Sequence, residues 1–204
     1  MTTISHVSCK RTVRPMRTTF ATARGSKTCA TSIIVTAACD DGSVGVSEVP
    51  TSFVVPQETK EVIIRHVRRS AKWLRGQSID QWPALTAQLE FVIPDYHMTC
   101  SGIEAALFRA YLASTGSDEQ SWWGRKKTKT ITTDITIPFA EDINTLSTWI
   151  ERAVRKGFDT YKIKVSGDTR KDTRFVHSIA AMLDETEKPY TILLDGNQGF
   201  IYST

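Results

Sequence analysis

The sequence predicts an α+β chain in two parts, an antiparallel and helical front followed by the first βα units of a parallel sheet. Three observations predict it. Residues 1–55 are rich in β-branched runs broken by an Asp-Asp-Gly turn. Residues 57–115 carry apolar side chains at helical spacing. From 131 onward, strand starts recur about every 30 residues with an amphipathic helix between them, the βαβαβ pattern of parallel strands joined by right-handed crossovers.

In order, 31–38 is a β-branched run, Asp40-Asp41-Gly42-Ser43 is a turn, and Val44, Val46 and Val49 resume extended structure, which is a hairpin signal. Arg24-Gly25-Ser26-Lys27 reads as the loop between the first two strands. Ile63, Val67, Ser70 or Ala71, and Leu74 share one helical face, with Gly76 at its end. Pro83 opens a second, short helix with Leu85 and Leu89 inward. Thr99 or Ser101 is a candidate cap for a third, whose buried stripe is Ile103, Leu107 and Ala110. A polar connector over 116–130 ends in the basic run Arg125-Lys126-Lys127-Thr128-Lys129, which suits either a phosphate or a solvated loop. Strands then fall at 131–137, 158–165 and 190–195. The helices between them fall at 140–156, with Ile143, Leu146, Ile150 and Val154 inward, and at 168–187, with Phe175, Ile179 and Met182 or Leu183 inward.

Of the 204 residues, 40% are hydrophobic and 24% charged, an ordinary globular balance that excludes a disordered chain. Twenty-six Lys and Arg against 22 Asp and Glu give +4, too mild to imply a nucleic-acid partner. No run of 18 apolar residues is present, so no membrane partner is expected. The first acidic residue is Asp40, and the basic, Ser/Thr-rich stretch before it reads as a transit peptide or as a basic first strand. The smooth continuation through Ile33-Ile34-Val35 favours the strand. Cysteines 9, 29, 39 and 100 form no CxxC pair, which argues against zinc. Buried, reduced thiols in a cytoplasmic setting are expected.

Strands buried between helices should be almost wholly apolar. Tyr161-Lys162-Ile163-Lys164-Val165 breaks that rule. Positions i and i+2 share a face, so the two lysines point one way and the apolar residues the other. One reading is an edge strand with its lysines in water. The other begins from Asp195, which ends the third strand before Gly-Asn-Gln-Gly, where α/β proteins place ligands. A carboxylate there can ligate a divalent metal, and a crowded lysine pair beside it has reason to lose a proton and act as a base.

Together, Tyr161-Lys162-Ile163-Lys164-Val165 and Leu194-Asp195-Gly196-Asn197-Gln198-Gly199 closely resemble the enolase superfamily, muconate-lactonizing subgroup. Thr133-Asp134-Ile135-Thr136-Ile137-Pro138 resembles the first barrel strand of the dipeptide epimerases. Thr22-Ala23-Arg24-Gly25 resembles the mobile loop of the family's capping domain, and the segment 40–48 resembles the hairpin after it. The resemblance implies a capping domain over 1–130 and a partial (β/α)₇β barrel over 131–204. It implies Mg²⁺ and a 1,1-proton transfer α to the carboxylate of a dipeptide, with Lys164 as base and Lys162 as its neighbour on the substrate carboxylate. Asp195 would be a metal ligand, Asn197 a partner of the lysines and Thr136 a substrate contact. Arg24 and Phe53 would bound the distal end of the substrate, Arg24 suiting an acidic side chain. Full-length relatives are expected to be homo-oligomers.

Residues 131–204 provide three strands, whereas a complete barrel takes ~250 residues. Two further metal carboxylates, an opposed lysine and an acidic motif for the dipeptide amine have no counterpart, so the chain reads as C-terminally truncated and inactive alone. Alternatives are another activity of the subgroup (cycloisomerase or N-acylamino-acid racemase), a non-catalytic relic, or an anion binder using the basic run.

Overall fold

The computed structural model describes residues 1–22, 25–52, 55–124, 130–137, 143–197 and 199–200, with backbone alone at 18, 20–22, 144 and 145. The chain forms two compact units, Met1–Pro15 with Cys29–Lys129, and Met16–Thr28 with Thr130–Thr204.

Strands β1 (Ile4–Thr22), β2 (Gly25–Cys39) and β3 (Val44–Pro50) lie in that order across one sheet, and the first unit takes β1 up to Pro15, β2 from Cys29 and all of β3. β2 and β3 are antiparallel, in register from Ser32 opposite Pro50 to Ala38 opposite Val44. Alternation sends Ile33, Val35, Ala37 and Cys39 inward, while Val44 and Val46 point out. The turn works as its residues demand. Gly42 takes φ +88°, and the Asp41 carboxylate accepts the Ser43 amide at 2.8 Å. The loop expected at 24–27 is corrected over 25–27: Gly25, Ser26 and Lys27 belong to β2, and Arg24 lies outside the described residues. The basic N-terminal stretch is β1 itself.

Helices α1 (Lys60–Leu74), α2 (Trp82–Val92) and α3 (His97–Ser114) follow. Thr59 caps α1, and Ile63, Val67, Ser70 and Leu74 are its buried face, as the spacing predicts. Pro83 stands at the start of α2, where a missing N–H costs nothing. The expected cap of α3 is corrected. Thr99 lies inside the helix, and the orphan first-turn amides are taken by Glu58, forty residues upstream. Its carboxylate accepts from Met98 N at 2.9 Å, Thr99 N at 2.8 Å and Thr99 Oγ1 at 2.6 Å. A carboxylate at a helix N-terminus meets both the free N–H groups and the positive end of the dipole, so a nearly fully buried Glu is tolerable here.

Helix α3 lies directly on β3. A Cβ on Gly45 would strike the backbone of Ala106 and Ala110, and one on Gly102 would strike the Val49 side chain. The residues expected to be a plain connector begin with a short helix α4 (Glu119–Trp122), capped by Asp118. Its Trp122 joins Trp82, Phe108 and Tyr111 in an aromatic cluster with ring centroids 4.9 to 6.4 Å apart. The basic run 125–129 lies outside the described residues.

The second unit alternates β4 (Ile135–Ile137), α5 (Asn144–Arg155), β5 (Thr160–Lys164), α6 (Thr169–Asp184) and β6 (Thr191–Asp195). The strands are parallel in the order β4-β5-β6. Ile137, Tyr161, Ile163 and Val165 pack with Leu146, Ile150, Phe175, Ile179 and Leu183 of the helices. Each such aliphatic side chain contributes roughly 1.5–3 kcal/mol by leaving water. β4 is shorter than expected: 131–134 is irregular and Ile131 is exposed. β5 lies between two neighbours, so the reading of the lysine strand as an edge is excluded. The molecule thus joins an antiparallel sheet with helices to parallel βα units, and among the described residues the parallel strands do not close a barrel.

Candidate active site

Register decides which side chains meet at the carboxyl ends of β4, β5 and β6. Lys162 stands beside Thr136 of β4, and Lys164 beside Asp195 of β6. Paired residues of parallel strands share a face, as do i and i+2. The two lysines, Thr136 and Asp195 therefore share the face turned away from the helices, while Tyr161, Ile163 and Val165 fill the core.

Lys164 is 7% exposed, and its Nζ lies 2.5 Å from Asp195 Oδ2. The other oxygen, Oδ1, accepts the Asn197 amide at 3.0 Å. Asn197 takes φ +45°, a left-handed conformation that Asn adopts more readily than most residues, and this aims its N–H back at the carboxylate. The hydrogen bond from Lys164 holds the Asp195 carboxyl below its ordinary range. Partial burial opposes that shift, and the Asn197 amide and the charges of both lysines support it. Lys162 turns the other way, with Nζ 3.8 Å from Asp134 Oδ2. The crowding of two like charges expected from Lys-x-Lys is therefore offset, because each ammonium faces its own carboxylate, one just ahead of β4 and one at the end of β6.

The loop after β5 is pinned by Asp172 of α6, whose carboxylate accepts from Ser166 N, Ser166 Oγ and Gly167 N at 2.8, 2.8 and 2.9 Å. Gly167 has φ +94°, and a Cβ there would strike the backbone of Gly199, so this loop and the one after β6 touch. A Cβ on Gly196 would fall 2.8 Å from the Phe200 ring.

Of the residues singled out in the sequence, Lys162, Lys164, Thr136, Asp195 and Asn197 come together here. Arg24 and Phe53 lie outside the described residues. Asp134 and Asp172 were missed as functional positions. The signal for Asp134 was its place two residues before Thr136, just ahead of β4. Asp172 carries none beyond its place four residues after the cap Asp168.

A Mg²⁺ ion takes near-octahedral oxygen ligation. Among the described residues no three His, Cys, Asp or Glu side chains converge on one point. Asp195 alone, with both oxygens engaged, does not fit such an ion.

No family model matches the chain. L-Ala-D/L-Glu epimerase of Bacillus subtilis (strain 168) is 26% identical over 201 residues, 97% of this chain and 53% of that protein. L-Ala-D/L-amino acid epimerase of Populus trichocarpa is 25% identical over 162 residues, 78% of this chain and 37% of that protein. The structure of dipeptide epimerase from Cytophaga hutchinsonii, complexed with Mg and the dipeptide D-Ala-L-Val, matches with a TM-score of 0.87 at 22% identity, over 98% of this chain and 53% of that one.

The chain resembles the dipeptide epimerases of the enolase superfamily.

Its fold matches the N-terminal half of enolase-type proteins, among them a mandelate racemase/muconate lactonizing protein from Herpetosiphon aurantiacus at a TM-score of 0.81 and 23% identity, over 97% of this chain and 54% of that one. The chain spans about half the length of the Bacillus relative. Its described helices include none long and apolar enough to cross a membrane.

Proposed function

We propose that this chain carries one face of a site for 1,1-proton transfer at the carbon α to a dipeptide's terminal carboxylate. The observation that supports it best is the placement of two lysines on the face of a central parallel strand turned away from its helices, with Lys164 nearly buried at its carboxyl end. In this reading Lys164 Nζ takes the α-proton and returns it to the same face. Lys162 and Thr136 receive the substrate carboxylate. The Asn197 amide holds Asp195, which in turn orients Lys164. No step is assigned to Mg²⁺, for which the described residues are an incomplete set. Four free thiols suit a reducing, cytoplasmic setting.

The test is L-Ala-L-Glu in D₂O with and without Mg²⁺, following the Glu α-proton by NMR. Slow exchange with retained configuration, lost in Lys164→Ala, is expected. Epimer should not form at ordinary enzyme rates (~1–10³ s⁻¹), because the described residues place lysines on one face only. Exchange that persists unchanged in Lys164→Ala refutes the assignment.

A further inference from the structure

The geometry points to Asp134 as a positioning residue that holds the Lys162 ammonium on the β4 side of the sheet, beside Thr136, where the pair can receive a carboxylate. This deepens the proton-transfer reading and rests on it. Four observations converge. Asp134 lies immediately before β4, two residues ahead of Thr136. Its Oδ2 lies 3.8 Å from Lys162 Nζ, within ion-pair range but beyond a hydrogen bond. That oxygen is shielded from solvent yet accepts no hydrogen bond among the described residues, so its attraction to Lys162 is not shared with a donor. On the other side of β5, Asp195 takes Lys164.

The two carboxylates therefore divide a pair that spacing alone would leave side by side. Lys164 is drawn toward β6 and Lys162 toward β4. An ammonium anchored beside the Thr136 hydroxyl presents a cation and a hydroxyl donor on one side of the face, a match for the two oxygens of a carboxylate. Lys164 is left one layer nearer the strand ends, with its own partner. Without Asp134, Lys162 would be free to swing toward Asp195 and compete for it.

The experiment compares the full chain with Asp134→Ala, Asp134→Asn and Asp134→Glu, measuring acetylation of each lysine by sulfo-NHS-acetate at pH 8 with site-resolved mass spectrometry. It needs no dipeptide, so its failure is distinct from a failure of the exchange assay. Loss of a partly screened ion pair should speed Lys162 labelling about two- to five-fold in Asp134→Ala, leave Lys164 within about two-fold, and be reversed in Asp134→Glu. Asp134→Asn should fall between. Unchanged Lys162 labelling in Asp134→Ala overturns the proposal. So does equal acceleration at both lysines with a lowered melting temperature, because Asp134 would then serve only general packing.

Discussion

Asp195 and Lys164 make the most consequential single contact, and its pH dependence has a definite sign. The folded carboxyl titrates below its ordinary value, so the pairing stabilises the chain above the unfolded value of ~3.9 and is lost as pH falls through the lower folded value. Asp195→Asn should therefore cost roughly 1.5–3 kcal/mol at pH 7, the scale of a hydrogen bond between charged groups. The difference from the parent chain should shrink as pH falls below the ordinary carboxylate range and through the lower folded value. Thermal melts of both proteins across that range check it. The cysteines give a second residue-scale test. All four are free, but Cys29 is exposed, contrary to the expectation of burial for each, and Cys9 is half-buried. Burial pushes the Cys39 and Cys100 thiols up to about 11. Maleimide at pH 7.5 should modify Cys29 at least about ten times faster than Cys39 or Cys100; equal rates would contradict the packing described.

At the scale of elements, the apolar periods were legible and the polar fixings were not. The face Ile63-Val67-Ser70-Leu74, the stripe Ile103-Leu107-Ala110 and the alternation at 161–165 each follow a local period, so one segment suffices to read them. The α3 cap escaped because its partner Glu58 is distant in sequence, whereas capping rules look for a neighbouring Ser, Thr or Asp. Glu58→Ala should cost about 2–3 kcal/mol and release hydrogen-exchange protection at Met98 and Thr99 before the rest of α3. The tight seam between β3 and α3 was equally illegible, since Gly45 and Gly102 look like turn or breaker residues until the two elements are brought together. Gly45→Ala places a methyl group against helix backbone. It should lower stability by about 3 kcal/mol, or roughly 6–12 °C in a chain of this size, read by calorimetry. The site divides in the same way. Lys162, Lys164 and Asp195 were visible from strand pattern and position, while the Asp134 and Asp172 contacts needed the register of β4 on β5 and the path of a loop.

For the whole molecule, the outer strand of the parallel sheet decides behaviour in solution. β6 has no neighbour beyond it among the described residues, and Leu193 and Leu194 are 45% and 60% exposed on its two faces. An open strand edge flanked by apolar surface invites pairing with another chain. Light scattering on the purified chain should therefore report a mass above 22.8 kDa that falls when Leu194→Lys is introduced; a monomer at all concentrations would count against it. The division into units also limits how the gene could be cut. The polypeptide passes from one unit to the other at residues 15–16, back at 28–29 and across again at 129–130. One cleavage in the last crossing leaves two covalent strands still joining the halves. A plasmid encoding 130–204 alone would omit the 16–28 piece that folds with it, so in this chain the unit of structure is not a contiguous stretch of codons.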